Sequence, residues 1–249
     1  MGKKTAIVTG GVGFIGSHMV DLLIREGFKV RIIDDLSGGN TSNINHLSNN
    51  PDLSLIERDI RLLEIKPSII NDVNYVFHFA GIGSIVPSIE EPFEYMDVNS
   101  TGTLRLLEMC KNTSIQKFVY AASSSCYGLA ATPTSETHPI DTQHPYALSK
   151  YHGEQIALNW YKIYGIPVNS IRIFNAFGLR AKTTGAYGAV MGVFLKQKLE
   201  QQPFTVVGDG KQSRDFLYVT DVVEAFYKAA ITAKVGEIWN LGAGSPQSV

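Results

Sequence analysis

The 249-residue chain sets 22 Lys and Arg against 23 Asp and Glu, a net charge of -1. With no basic run, it carries no electrostatic footprint for nucleic acid or for an anionic membrane surface. Hydrophobic residues at 44% and charged residues at 18% describe an ordinary globular protein, large enough for one big domain or two small ones. No apolar run approaches the ~20 residues that span a bilayer. Met1-Gly2-Lys3-Lys4 leads straight into a core strand, so removal of a signal peptide would take the first loop with it, and a cytoplasmic location is expected. Cys110 and Cys126 are expected as buried free thiols, which suits a reducing compartment. The six histidines show no zinc-ligand spacing, and no metal is expected.

The first predicted elements organise the rest. The apolar run Thr5 to Thr9 ends in a glycine-rich turn with Gly10, Gly13 and Gly16 three apart, and an amphipathic segment, Ser17 to Glu26, follows. That order reads as strand, turn, helix. Glycines let the backbone approach a phosphate closely, and the helix start, with Phe14 and Ile15, offers free N–H groups and the positive end of its dipole to a diphosphate. Such spacing also occurs in plain turns. A second strand, Phe28 to Ile33, ends in Asp34, about ~20 residues beyond the glycines, where a carboxylate grips the adenosine ribose. Asp35, Leu36 and Ser37 then begin a polar turn suited to wrapping the adenosine. Two carboxylates without an arginine favour NAD over NADP, whose 2′-phosphate would be repelled.

Leu53 to Glu57 reads as a short strand, with Asp59 and Ile60 at its end placed to meet the adenine edge. Tyr75 to Gly81 reads as a buried strand running into the small-residue turn Phe79-Ala80-Gly81 over the cofactor. Pro92 to Lys111 is helical in pattern, interrupted by Asn99 and Thr103, and Asn99 suits either a structural hydrogen bond or a functional one. Lys117 to Ala122 is a strand ending in Ser123-Ser124-Ser125-Cys126-Tyr127-Gly128. Hydroxyls gathered there suit a capped turn, or chemistry at the carboxyl end of a parallel sheet where ligands bind. A helix opening near Pro145 and running to about Tyr164 places Tyr146 and Lys150 four apart, on one face. An ammonium and an oxidised nicotinamide would lower the phenol from its usual ~10 toward neutrality, making Tyr146 a usable general base. Apolar runs alternating with helical segments predict an α/β fold with a doubly wound parallel (Rossmann) sheet.

Together the glycine turn, Asp34, Asp59-Ile60, Phe79-Ala80-Gly81, Asn99, Ser123 to Gly128 and the Tyr146/Lys150 pair resemble an extended short-chain dehydrogenase/reductase. The similarity is to the NAD-dependent sugar-nucleotide epimerase and dehydratase family, the UDP-glucose 4-epimerase-like kind. Arg172 to Gly178 resembles that family's strand and substrate turn, and Val207 to Gly210 with Arg214 to Val219 its phosphate-contacting segment.

The resemblance implies Tyr146 as the base that deprotonates a sugar hydroxyl, Lys150 as the residue holding the nicotinamide ribose, and Ser123 as the hydroxyl bonded to the reacting oxygen. It implies NAD contacts from Gly10 through Asn99 at the positions named, and substrate contacts from Ser124, Ser125, Asn175, Val190 and Arg214. Arg214 would neutralise the diphosphate, although a surface charge explains it too. Dehydratases of the family carry an acidic pair just after the catalytic hydroxyl, and decarboxylases a Glu nearby. Here Ser124-Ser125-Cys126 stands instead, so a 4-epimerase working through a transient 4-keto sugar is expected. A 4,6-dehydratase, a 4-oxidase or ketoreductase, and a non-catalytic NAD sensor are the alternatives. Residues 1–175 are expected as the NAD-binding domain. Residues 176–249 are expected as a smaller substrate lobe interleaved with the sheet and, by the family's usual length, incomplete. Its helix is read at Val190 to Gln201. The helices at Asp97 to Lys111 and Tyr146 to Tyr164 are those the family pairs into a homodimer.

Overall fold

The computed structural model describes residues 2–64, 67–181, 190–206 and 208–248. The apolar run at the N-terminus forms β1 (Thr5–Thr9), buried throughout, followed by α1 (Phe14–Arg25) and β2 (Lys29–Asp34). The helix starts three residues before the expected Ser17, because Gly13 already stands as its extended N-cap. Next come β3 (Leu53–Glu57), the short α2 (Pro67–Ile70) and β4 (Tyr75–His78). The next stretch holds α3 (Ile85–Glu90), α4 (Pro92–Met96) and α5 (Gly102–Cys110). The single helix expected from Pro92 to Lys111 is broken by a π-helical turn at Asp97–Thr101, which carries Asn99. Such wide turns cluster at functional sites.

The chain continues through β5 (Lys117–Ser123), α6 (Pro145–Tyr164), β6 (Val168–Ile173), β7 (Asn175–Phe177) and α7 (Val190–Leu199). It closes with β8 (Ser213–Arg214), β9 (Phe216–Tyr218), α8 (Val219–Ile231), β10 (Ile238–Leu241) and β11 (Gln247–Ser248).

Seven strands make one parallel sheet in the order β10-β6-β5-β4-β1-β2-β3. The order runs outward in both directions from the β1/β4 boundary, so the crossovers leave a crevice there at the carboxyl ends of the strands. Successive side chains of each strand face opposite sides of the sheet. Val8, Ile32 and Phe77 pack with Val20, Leu23, Val222 and Phe226 under α1 and α8. Ile7, Ile33 and Val76 pack with Leu106, Leu107 and Ala157 under α5 and α6. Both faces are therefore covered, as a parallel sheet requires.

The later segments are lighter. β7 pairs with β9, and β8 with β11, as two-stranded pieces outside the main sheet. Within α7, Gly192 is its buried residue, while Leu195 and Leu199 are exposed. The part of the expected substrate lobe at 182–189, and Val207, lie outside the described residues. Both α8 and β10 belong to the layers of the main sheet.

Candidate active site

The glycine turn is shaped by close backbone approach. Gly10 has φ +68°, and a Cβ there would stand 2.8 Å from the Ala80 nitrogen. The Gly10 N–H donates to the Ile33 carbonyl at 2.9 Å and its own carbonyl accepts from Gly13 at 3.0 Å, tying β1, β2 and the turn together. A side chain at Gly16 would run into the Gly10 carbonyl. The start of α1 has no side-chain cap and no acidic residue in its first turn, so its positive end is left for an anion. A dinucleotide diphosphate fits this cradle.

The Asp34 carboxylate, buried at the end of β2, accepts from the Val12 N–H at 3.0 Å and the Leu36 N–H at 2.9 Å. Burial raises its pKa above the usual carboxylate value, and these two N–H groups offset only part of that rise. Asp35 accepts from the Ser37 hydroxyl at 2.6 Å and closes the following turn, in which Leu36 takes φ +64°. Asp59 caps the turn that begins at Ile60 and is held by Arg61, whose guanidinium also meets Glu94 at 3.0 Å and Asp97 at 3.2 Å. That network ties the Asp59-Ile60 turn to the π-turn; Ile60 itself fills the space that a Cβ on Gly102 would need.

A buried chain of hydrogen bonds crosses the crevice. The Ala80 N–H donates to Thr9 Oγ1 at 3.1 Å, Thr9 Oγ1 meets His78 Nδ1 at 2.6 Å, and His78 Nε2 meets Thr103 Oγ1 at 2.8 Å. Thr103 in turn donates to the Asn99 carbonyl at 2.7 Å. Because the Thr103 hydroxyl spends its one proton on that carbonyl, it must accept from His78, which fixes the neutral Nε2–H tautomer. Burial, with the Lys150 charge nearby, pushes the His78 pKa down to about 3, so the ring stays neutral. Asn99 clamps the segment after Gly81: its Oδ1 accepts from the Ile82 N–H at 2.9 Å, and its Nδ2 donates to the Ile82 carbonyl at 3.0 Å and to Ser149 Oγ at 2.9 Å.

Ser123 ends β5 and caps the following 3₁₀ turn, its Oγ accepting from the Ser125 N–H at 3.2 Å. It lies against Tyr146 on α6, and its hydrogen bond pulls the phenol pKa down while burial, the larger effect, pushes it up. Lys150 does not figure among the causes, so the protein groups alone do not produce the lowered Tyr146 expected from the pair. Tyr146 is held by aromatic neighbours, with the His144 ring stacked at 5.8 Å and Tyr95 edge-on at 6.4 Å. His144 also caps α6, accepting from the Ala147 N–H at 3.1 Å. The Lys150 ammonium lies 4.6 Å above the Tyr120 ring, and burial brings its pKa down to about 8. A Cβ on Gly81 would lie 3.8 Å from Lys150 Nζ, which sets the Phe79-Ala80-Gly81 turn beside the ammonium.

Charge pairing missed by sequence reasoning lies behind this group. Glu154, one turn past Lys150, forms a buried ion pair with Arg172 on β6 at 2.6 Å. The residues expected at the substrate end are looser. Asn175 donates to the Asp215 carbonyl at 3.3 Å, and Val190 begins α7. Arg214 is exposed and its guanidinium reaches only the neighbouring Ser213 carbonyl, at 2.8 Å, among the contacts described. The Asp215 carboxylate accepts from the N–H groups of Ala243, Gly244 and Ser245 at 3.1, 3.0 and 3.4 Å.

A switch-point crevice with a glycine turn, an acidic strand end and a Ser/Tyr/Lys group defines a dinucleotide-binding protein of the dehydrogenase type. The chain belongs to the NAD dependent epimerase/dehydratase family, whose model matches residues 6–242. It is 36% identical over 248 residues to a UDP-glucose 4-epimerase of Mycolicibacterium smegmatis, covering 96% of this chain and 77% of that one. It is also 34% identical over 254 residues to a UDP-N-acetyl-alpha-D-glucosaminuronate decarboxylase of Bacillus cytotoxicus, covering 99% and 77%. Among solved structures it resembles a UDP-N-acetylglucosamine 4-epimerase from Methanobrevibacter ruminantium M1, in complex with UDP-N-acetylmuramic acid. That match has TM-score 0.95 and 35% identity, over 100% of this chain and 79% of that one. The cofactor is NAD.

Proposed function

We propose that the chain is an NAD-dependent 4-epimerase of a nucleotide-diphosphate sugar. The observation that carries this reading is the meeting of Ser123 and Tyr146 at the carboxyl end of β5, with Lys150 one turn along the same helix. NAD, when bound, would supply the hydride acceptor and donor and a positive charge that favours the phenolate. Tyr146 takes the proton of the C4 hydroxyl and later returns one, acting as the base and then the acid. Ser123 holds the same oxygen by a hydrogen bond, and the Lys150 ammonium would hold the nicotinamide ribose. Gly10, Gly13, Phe14, Ile15 and Gly16 would hold the diphosphate of NAD, Asp34 to Ser37 the adenosine ribose, Asp59 and Ile60 the adenine, and Phe79 to Gly81 with Asn99 the nicotinamide side. Ser124, Ser125, Asn175, Val190 and Arg214 face the sugar nucleotide.

Epimerisation needs the 4-keto sugar to turn over and be reduced on its other face, and it consumes no other reagent. Elimination of water would need an acid and a base beside C5 and C6, and Ser124-Ser125-Cys126 supplies no carboxylate for them. The decarboxylase relative makes the choice of substrate decisive. The purified chain is incubated separately with UDP-glucose, UDP-N-acetylglucosamine and UDP-glucuronic acid, and the products are followed by NMR. A C4 epimer from one of them is expected; a stable 4-keto product or loss of carbon dioxide would replace the epimerase reading. A homodimer is also proposed. Phe93 (81% exposed), Leu148 and Ile163 present apolar surface on α4 and α6, and sedimentation equilibrium at micromolar concentration should give twice the 27.3 kDa chain mass. The buried free thiols Cys110 and Cys126 support a cytoplasmic location. No helix among the described residues is long and apolar enough to cross a membrane.

A further inference from the structure

Two ionised side chains sit in the core and have no part in the reaction proposed above. The side chains of Glu154 and Arg172 are 1% and 4% exposed. Both carboxylate oxygens are spoken for: Oε1 by Arg172 Nη2 at 2.6 Å, Oε2 by Arg172 Nε at 3.0 Å and the Ser170 hydroxyl at 2.9 Å. The remaining guanidinium nitrogen, Nη1, donates to the Tyr127 hydroxyl at 2.5 Å, and Tyr127 donates to Asn240 Oδ1 at 2.8 Å. Tyr127 is the last residue of the 3₁₀ turn that Ser123 begins. The network thus runs from α6, which carries Tyr146 and Lys150, through β6 to the turn that carries Ser123.

Stability alone does not call for it, since a buried ion pair is often no better than an apolar pair of the same shape. Its position does distinguish it. Glu154 is four residues beyond Lys150, on the same helical face. We propose that Glu154 and Arg172 are positioning residues that set the Tyr146/Lys150 helix against the Ser123 turn, with Glu154 the counter-charge of the Lys150 ammonium. This rests on the reading of Lys150 as the partner of Tyr146.

The groups around Lys150 leave Glu154 as its anionic neighbour. From its own helix come Tyr146 and Glu154. From β5 comes Tyr120, whose ring lies beneath the ammonium and whose hydroxyl donates to the Lys150 carbonyl at 3.1 Å. From β4 comes His78, held neutral, and from the π-turn comes Asn99, which is uncharged. Around Glu154 itself stand Ser170, Arg172 and the protonated thiol of Cys126. Burial lowers the Lys150 pKa, and Glu154 is the group that raises it again.

The test is an NMR titration of the Lys150 side-chain Cε and Nζ in the wild-type chain, in Glu154→Gln, and in the double variant Glu154→Leu/Arg172→Met. The double variant strands no buried charge, so it should fold with a melting temperature near wild type. Lys150 should lose its proton near pH 8 in the wild type and roughly one unit lower in Glu154→Gln, and should move down by less in the double variant, where a positive charge leaves with the negative one. The alkaline limb of kcat should move down with it, and kcat at neutral pH in Glu154→Gln should fall about twofold from the lost protonation with KM for the sugar nucleotide unchanged. An unchanged Lys150 titration in Glu154→Gln or, should that variant not fold, no downward shift at all in the double variant would overturn the counter-charge. A shifted titration with an unmoved kcat profile would instead leave the pair intact and remove Lys150 from the reaction, so the two failures are separable.

Discussion

Around the glycine turn, Thr9 and His78 on the seven-stranded sheet and Asn99 on the π-turn packed against it are buried and hydrogen-bonded. Around Arg214 the chain runs in two-residue and three-residue strands, the guanidinium is exposed, and α7 buries only Gly192 fully. Preorganisation accounts for the contrast. On the proposed epimerase reading, a cofactor that stays in place through each cycle needs a fixed cradle, whereas a substrate that must turn over inside the pocket needs room to move. Substitutions at the sheet should therefore cost chemistry or stability, and those at the later segments should cost substrate affinity alone.

The largest effect is expected at the meeting point of Ser123 and Tyr146. Tyr146→Phe keeps the ring that packs between His144 and Tyr95 and removes the hydroxyl proposed to transfer the proton. Its kcat should fall by about 10³-fold, while mass spectrometry of nucleotide released from the purified variant still finds NAD. Undiminished turnover would remove the base. Next in size is the acid limb of stability. The His78 pKa is about 3 in the fold against ~6.5 unfolded, so between those values the unfolded chain binds a proton that the native chain does not. Stability should thus be full above pH 6.5 and fall as pH drops toward 3, by about 1.4 kcal/mol per unit from this group. In His78→Asn, urea unfolding across that range should show the slope against pH reduced by one proton, with the variant less stable at pH 7. A smaller loss, about 2 kcal/mol, is expected of Gly10→Ala, whose methyl would meet the Ala80 nitrogen at 2.8 Å in a backbone at φ +68°. Thermal unfolding reads that loss, and the variant should also be purified without NAD.

How far the sequence foretold this division depended on the range of each interaction. The glycine turn, Asp34 and the Leu53–Glu57 strand are local patterns, and the structure places them as read. The Tyr146/Lys150 spacing is local as well. What escaped is non-local or unmarked. Nothing in the composition of Asp97–Thr101 signals a π-turn, and the wider turn arises where Asn99 reaches across to Ile82 and Ser149. His78 looked like one more strand residue because its partners lie 69 and 25 positions away. Glu154 and Arg172 are 18 apart on a helix and a strand, and no periodicity links them. By contrast α8 is legible: Val219, Val222, Val223, Phe226 and Ala230 make a helical stripe directly after the segment Arg214 to Tyr218.

The smallest effect should fall at Arg214 and gives the contrast its cleanest test. Its guanidinium touches only the Ser213 carbonyl among the contacts described, so Arg214→Ala strands no partner and should leave the melting temperature where it was. A cation that meets a diphosphate equally in the bound substrate and in the transition state contributes uniform binding. Its loss raises KM and spares kcat. A rise in KM of roughly tenfold, about 1.4 kcal/mol, is the expectation, with NAD retained. Arg214→Lys should recover part of it, since a point charge replaces a fork that can bind two oxygens at once. Were kcat to collapse instead, with KM unmoved, the later segments would be part of the fixed machinery, and the line between a rigid cofactor cradle and an adaptable substrate side would have to be redrawn beyond β9.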